Sequence, residues 1–178
     1  TRARKTRTKS FNAFSSIDYP ETAVFRDMRL IPFLRRPDPM PPVQFYGQLD
    51  PAVFVLRLVP GMRADIIPLL APHYRALVVE SFGVGGLPGG EHGEMYARLQ
   101  DWCTSGRLAV FTTQVPHEGC DLAVYEVGRS VKELPGVLEA KDMTPEAVAV
   151  KLMWALGQTT DRAEAMRLFT TPVEWDIV

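Results

Sequence analysis

The chain has 178 residues, of which 46% are hydrophobic and 23% charged, the composition of a globular protein with one sizeable core. Its 20 basic and 21 acidic residues give a formal net charge of -1, which offers no general attraction to nucleic acid or acidic membranes. No apolar run spans a bilayer, and two cysteines, Cys103 and Cys120, are too few for a disulfide framework, so we predict a cytoplasmic protein without nucleic-acid or membrane partners.

The first fifty residues predict an arm rather than a domain. The chain begins at Thr1 within a run of alternating basic residues, and we therefore expect it to be a piece of a longer protein. Residues 1–16 predict a strand or hairpin with a solvated basic face. Residues 17–50 are rich in proline, which excludes regular helix and central strand and indicates a linker. A compact domain is expected from about residue 51.

From residue 51 onward, strand patterns alternate with helix patterns. Apolar runs predict strands and a 3.6-residue apolar period predicts helices. The predicted elements are a strand at 52–60, a short helix at 63–74, a buried strand at 75–82, a helix at 91–105, a strand at 107–114, a weaker strand near Leu122–Val127, a helix from Thr144 to Gly157 and a last helix from Thr160 through Phe169. Strands that are apolar on both faces need cover on both, so this order predicts a three-layer, Rossmann-like α/β domain with a small parallel sheet.

Two loops follow predicted strands and would share the carboxyl edge of the sheet, where such folds bind ligands. They are "SFGVGGLPGG" after the second strand and "TTQVPHEGC" after the third. Pro88 replaces the last glycine of a dinucleotide-binding pattern, and Ser81 has no evident base. His73, His92 and His117 show no metal-ligand spacing. The residues alone indicate a small-ligand edge without a complete catalytic set, and we predict no cofactor and no metal.

Four stretches, in order along the chain, carry a family pattern. They are "RARK" (2–5) with "FNAFSSIDYP" (11–20), "VVESFGVGGLP" (78–88), "TTQVPHEGCDLAVYEVG" (112–128) and "LEAKDMTPEAVAVKLMWALG" (138–157). They are similar to the motifs R-x-x-K…F-D-A-F-x-S-P-N-x-P, G/S-F-G-x-G-N-x-P, T-Q-x-x-x-G…Y-x-x-G and G-G-D-M-T-x-E-A-A-x-x-K-L-M-x-x-L-G. The chain thereby resembles the C-terminal portion of the bacterial L-asparaginase family, particularly its cytosolic type I branch.

The resemblance implies a division of the chain. Members have a larger N-terminal α/β domain, a linker, and a smaller C-terminal α/β domain with a four-stranded parallel sheet. On this basis residues 1–16 are a remnant strand region of the catalytic N-terminal domain, residues 17–50 are the linker, and residues 51–178 are the C-terminal domain.

The resemblance also implies a reaction and its residues. Family members hydrolyse the side-chain amide of L-asparagine through a threonine nucleophile, and the alignment of "RARK" places the catalytic lysine at Lys5. The threonine motifs are missing from these residues, so we expect the isolated chain to be inactive. A lysine beside a hydroxyl and a carboxylate relays protons that activate the hydroxyl.

Substrate contacts are expected from the glycine-rich loop. In the family, two subunits pack closely and this loop helps to close the neighbour's active site, which assigns substrate binding to Ser81, Gly83, Gly85 and Gly86 in a homodimer or homotetramer. Gly86 stands where the family usually has asparagine. We do not expect the effector site of the allosteric members here. Its characteristic arginine, threonine and cysteine are replaced in this chain by Glu80, Arg4 and Val115, respectively.

Two alternatives remain open at this stage. One is an asparaginase-like, ammonia-releasing subunit of a tRNA-dependent amidotransferase. The other is a non-catalytic, asparaginase-like binding or interaction module, which Gly86 in place of asparagine mildly favours.

Overall fold

The N-terminal arm consists of two antiparallel hairpins. The computed structural model describes residues 3–34, 42–89 and 93–177. Strands β1 (Ala3–Lys5) and β2 (Phe14–Ser16) form the first hairpin, with Lys5 opposite Phe14, which confirms the hairpin predicted for residues 1–16. Strands β3 (Ala23–Arg26) and β4 (Arg29–Pro32) form the second.

The second hairpin lies within the range that the sequence predicted as an irregular linker. Between Pro20 and Pro32 no proline interrupts the chain, so both strands can form a ladder. The connection consists of Asp27 and Met28, whose φ angles are 47° and 61°, and two positive φ angles are typical of the tight turn that matches strand twist. Pro37, Pro39 and Pro41 of the predicted linker lie outside the described residues.

The domain that follows alternates strands and helices around one parallel sheet. Its elements are β5 (Val53–Arg57), α1 (Ile66–Leu70), β6 (Ala76–Ser81), α2 (Glu94–Thr104), β7 (Leu108–Thr113), α3 (Glu126–Lys132), β8 (Val137–Glu139), α4 (Pro145–Gln158) and α5 (Arg162–Thr170). The strands are parallel and lie in the order β5-β6-β7-β8. This confirms the predicted α/β class and the four-stranded sheet. Residues 91 and 92 of the predicted helix 91–105 lie outside the described residues.

Helices cover both faces of the sheet. Leu77 and Val79 of β6 pack with α1, α2 and α3, whereas Ala76 and Val78 of the same strand pack with α4 and α5. All six residues of β6 and all six of β7 are buried. Right-handed crossovers between successive neighbouring strands keep the three connecting helices on one face, which leaves the other face to the last two helices.

The weaker strand predicted near Leu122–Val127 is wrong, because this region leads into helix α3 and the fourth strand is β8. The short apolar run at 122–125 suggested a strand. Tyr125 and its neighbour Val124 are exposed, however, and the residues that reach the core are Val127, Val131 and Leu134, at helical spacing.

Helix α4 begins where the sequence predicted. Thr144 is its N-cap, the hydroxyl accepts a hydrogen bond from the Ala147 amide at 3.3 Å, and Pro145 occupies the first turn. Val148, Leu152 and Leu156 form the predicted buried stripe and bring α4 onto the sheet.

We predict that Leu152→Ala lowers the free energy of unfolding by about 2–5 kcal/mol, because Leu152 is fully buried between α4 and the sheet. Val150→Ala on the exposed side of the same helix is the matched control and should change it by less than about 0.5 kcal/mol. Urea unfolding of both variants measures the difference. Equal effects would contradict this placement of α4.

Candidate functional site

The carboxyl ends of β6 and β7 lie side by side. Ser81, the last residue of β6, pairs with Thr113, the last residue of β7, so the loops that follow both strands leave from one edge of the sheet. Gln114 ties this edge together, since its Nε2 donates to the carbonyl oxygens of Leu58 at 2.6 Å and Glu80 at 2.9 Å. The structure therefore brings the two predicted loops to the edge where parallel sheets bind ligands.

The glycine-rich loop is a closed turn. The Phe82 carbonyl oxygen accepts hydrogen bonds from the amides of Gly86 at 2.7 Å and Gly85 at 3.2 Å, and the Phe82 amide donates to the Gly86 carbonyl at 3.1 Å. The amides of Gly85 and Gly86 are therefore engaged inside the turn. These two amides are not available to a group that binds at this edge.

Close packing explains the glycines of this turn. Gly85 has a φ of +153°, and a Cβ at this residue would lie 2.8 Å from Cδ2 of the buried Leu122. A Cβ at Gly86 would lie 3.2 Å from the Phe82 carbonyl oxygen. Only glycine fits at position 85 without displacing Leu122.

The second edge loop braces the first. The Asp121 amide donates to the Val84 carbonyl oxygen at 3.0 Å, and the Thr113 hydroxyl donates to the carbonyl oxygen of Gly83. A Cβ at Gly83 would lie 3.5 Å from the hydroxyl oxygen of Tyr125. The two loops thus form one unit, and the Thr113 hydroxyl has a structural role in it.

Ser81 lies inside this unit. Its side chain is fully buried, and its hydroxyl donates to the Thr112 carbonyl oxygen at 2.8 Å. Cys120, which is also buried, lies beside Ser81, and burial raises the pKa of the Cys120 thiol to about 12, with a further increase from the Glu139 carboxylate. Neither group is an ionised nucleophile at neutral pH.

Lys5 lies on the first hairpin, which contacts the same edge. Its neighbour Arg4 forms an ion pair with Glu146 in the first turn of α4 at 3.1 Å, and Asp18 accepts a hydrogen bond from the Glu118 amide at 3.3 Å. The Lys5 side chain is exposed, and within residues 3–34, 42–89 and 93–177 it forms no hydrogen bond or ion pair. A proton relay through Lys5 needs hydroxyl and carboxylate partners from elsewhere.

The sequence did not single out several residues that shape this edge. Gln114 and Tyr125 lie within the family motifs, but the sequence did not predict that Gln114 links three strand ends or that Tyr125 covers Gly83. Asp18 gave no signal, because its contact with Glu118 joins residues 100 positions apart.

Metal sites and membrane-spanning segments are two further possibilities for the described parts of the chain. Residues 3–34, 42–89 and 93–177 contain no group of three or more His, Cys, Asp and Glu side chains placed to hold a metal ion. His92 lies outside these ranges. Among the helices within them, none combines the length and apolar character required to cross a bilayer.

Comparison with known proteins assigns the domain. The sequence profile of the glutaminase/asparaginase C-terminal domain family matches residues 52–169. The chain belongs to this family. It is 34% identical to an L-asparaginase of Thermococcus kodakarensis over 99% of this chain and 53% of that protein. It is also 34% identical to a component of the glutamyl-tRNA(Gln) amidotransferase of Metallosphaera sedula, over 96% of this chain and 38% of that protein.

Solved structures show the same similarity. The thermostable L-asparaginase from Thermococcus kodakarensis superposes with a TM-score of 0.91, covering 100% of this chain and 53% of that chain. L-asparaginase I from Vibrio cholerae superposes with a TM-score of 0.84 at 24% identity, covering 99% of this chain and 53% of that chain, which shows a shared fold. The chain spans about half the length of these asparaginases.

These matches confirm the asparaginase resemblance at the level of the C-terminal domain family. The resemblance to the bacterial type I branch remains a prediction. The glycine turn and the loop after β7 therefore belong to a glutaminase/asparaginase C-terminal domain.

We predict that Gly85→Ala lowers the free energy of unfolding by about 1–3 kcal/mol, because the new Cβ collides with Leu122 and the backbone is strained. Gly47→Ala is the control, since a Cβ there meets no atom within 4 Å, and it should cost less than about 0.5 kcal/mol. Chemical denaturation measures both. A fully stable Gly85→Ala protein would refute the close packing of the turn.

We predict that both cysteines resist alkylation by iodoacetamide in the folded chain at pH 8.5. Burial raises the pKa of Cys103 to about 11 and that of Cys120 to about 12, whereas unfolded thiols have a pKa of about 8.5. The thiols therefore lose their protons at lower pH in the unfolded chain than in the folded chain. The stability that the two buried thiols contribute is complete below about pH 8.5 and declines as the pH rises toward 11 and 12. Alkylation as fast in buffer as in denaturant would contradict the burial of both thiols.

Proposed function

We propose that the chain is the C-terminal part of an L-asparaginase that hydrolyses L-asparagine to L-aspartate and ammonia. The observation that carries the proposal is the combination of a glutaminase/asparaginase C-terminal domain at residues 52–169 with the hairpin of Lys5 at its carboxyl edge. Because the chain spans about half of its asparaginase relatives, the activity belongs to a longer protein. The isolated chain is inactive in this proposal.

Each part of the chain has a place in the longer protein. Residues 1–16 belong to the catalytic N-terminal domain, residues 17–50 form the linker with its own hairpin, and residues 51–178 form the C-terminal domain. The protein is a cytoplasmic enzyme of the type I branch. The motif similarities across the chain support this division.

The chemistry assigns a proton relay to Lys5. A threonine hydroxyl from the N-terminal domain attacks the side-chain amide carbon of asparagine, the C–N bond breaks, and the nitrogen leaves as ammonia. Water then hydrolyses the acyl-enzyme ester and releases aspartate. Lys5 accepts the hydroxyl proton during attack beside a neighbouring carboxylate, and the relay delivers this proton to the leaving nitrogen, which departs as NH3. In the second step a proton of the attacking water returns to the threonine oxygen by the same relay. Its exposure in this chain leaves it open to those partners.

The carboxyl edge serves the neighbouring subunit of a homodimer or homotetramer. Ser81, Gly83, Gly85 and Gly86 form the part of the edge that closes the neighbour's substrate site. Since the Ser81 hydroxyl and the amides of Gly85 and Gly86 are engaged internally, the turn acts through its shape and the half-buried backbone of Gly83 and Gly86. Gly86 offers no side-chain amide to the substrate.

We predict that Lys5→Met in the full-length protein lowers kcat for asparagine by about 10²- to 10⁴-fold, the usual contribution of a proton-transfer group, with a smaller change in KM. Lys9→Met, in the exposed loop of the same hairpin, is the matched control and should retain activity. Ammonia release measures both. Full activity of Lys5→Met, or steady turnover by the isolated chain, would refute the assignment.

A second candidate is the ammonia-releasing subunit of a tRNA-dependent amidotransferase. The 34% identity to a component of a glutamyl-tRNA(Gln) amidotransferase supports it. In that case the full-length protein releases little ammonia alone, and tRNA copurifies with it and its partner protein. Robust asparagine hydrolysis without tRNA or a partner favours the asparaginase.

A non-catalytic binding module is the third candidate, which Gly86 supports because it removes the amide expected at this position. Asparaginase activity of the full-length protein excludes it.

A further inference from the structure

The C-terminal segment after α5 is anchored to α4 by a buried ion pair. Lys151 Nζ lies 2.7 Å from Oδ2 of Asp176 and donates to the Thr171 carbonyl oxygen at 2.9 Å. The other Asp176 oxygen accepts from the Val173 amide at 2.8 Å, which closes a turn over residues 173–176. Lys151 is only 7% exposed, and a buried charge holds its partners in place because losing one leaves the other unpaired.

This anchored turn presents Trp175 to the N-terminal arm. The rings of Trp175 and Tyr19 stack with centroids 6.3 Å apart and an angle of 23° between their planes. Ser16 at the end of β2 donates from its hydroxyl to the Tyr19 carbonyl oxygen at 2.6 Å, and Ser16 pairs with Ala3 in the ladder of β1. Trp175 is therefore connected through three successive contacts to the strand that carries Lys5.

Away from the C-terminal turn, the hairpin and the residues directly after it are held by the Arg4–Glu146 ion pair, by the contacts of Asp18 with Glu118 and His117, and by the buried Ile17. A cavity of about 660 Å³ separates parts of the arm from the C-terminal turn, with Ala3 and Ser16 on one side and Val173 and Trp175 on the other. In the Arg4–Glu146 ion pair Glu146 is exposed and Arg4 is half-buried, and an ion pair this open to water contributes little. The aromatic stack of Tyr19 and Trp175 bridges this cavity.

We propose that the C-terminal turn 173–176 is a positioning element for Lys5, with Trp175 as the positioning residue. The turn is fixed to α4 by Lys151, and its indole fixes Tyr19 and thereby the β1–β2 hairpin at the carboxyl edge. This proposal rests on the asparaginase role proposed for Lys5. Trp175 touches no reacting atom in it and acts only through the position of the hairpin.

The first test uses hydrogen exchange in the chain itself. The Thr6 amide donates to the Ala13 carbonyl oxygen at 2.8 Å within the hairpin and reports its opening. Trp175→Leu and, as a second variant outside the core, Tyr19→Leu should accelerate Thr6 exchange about two- to tenfold, the range set by one aromatic pair. Trp175→Phe should restore slow exchange because it keeps the stack.

Trp154→Leu is the matched control for exchange. It also removes a tryptophan that contacts a tyrosine of the arm, Tyr46, with ring centroids 5.3 Å apart, but this pair has no connection to β1 or β2 among the described residues. Thr6 exchange should be unchanged in this variant. Unchanged exchange in Trp175→Leu and Tyr19→Leu, or equal acceleration in Trp154→Leu, would overturn the positioning role.

The second test measures asparagine hydrolysis by the full-length protein. Trp175→Leu should lower kcat about three- to tenfold while KM changes less than about twofold, since the proton relay is displaced and substrate contacts remain. Trp175→Phe should recover kcat, and Trp154→Leu should match wild type. An unchanged kcat in Trp175→Leu refutes the positioning of Lys5. A wild-type protein without activity refutes the proposed function, while Thr6 exchange still decides whether the turn holds the hairpin.

Discussion

Parallel pairing of β6 with β7 brings the ends of both strands to one edge, with Ser81 beside Thr113. Every other feature of the candidate site depends on this register. A slip of one residue would turn Ser81 and Thr113 toward the opposite face and separate the Thr113 hydroxyl from the Gly83 carbonyl oxygen. Gln114 strengthens the register because its side chain donates hydrogen bonds to the carbonyl oxygens of Glu80 in β6 and of Leu58 just after β5.

The edge is a rigid surface rather than an open cradle. Its glycine turn uses the Gly85 and Gly86 amides internally, and the loop after β7 covers the Val84 carbonyl oxygen. Such a braced element suits a wall that closes an active site formed elsewhere. The N-terminal hairpin, attached by Arg4, Asp18 and Tyr19, brings Lys5 to the same edge.

Much of the fold was predictable because local and global signals agree. The apolar runs of β6 and β7, and the Thr144-Pro145 start of α4, each point to one structure. Helix α3 was missed since the residues just before it, Val124 and Tyr125, favour a strand, and the three-residue β8 is too short to show a period. The edge loops and the resemblance could be read from sequence. The contacts of Asp18 and Trp175 could not, because they join distant parts of the chain.

Complementation between subunits tests the central claim that this edge completes a neighbour's active site. Two inactive full-length variants, Lys5→Met and Gly86→Trp, are mixed, dissociated and reassociated, and asparagine hydrolysis is measured. If the site is shared between subunits, each hybrid dimer has one intact site, and about a quarter of wild-type activity returns, since half of randomly formed dimers are hybrids. If Lys5 and the glycine turn act within one protomer, every site carries a defect and no activity returns, which would contradict the account.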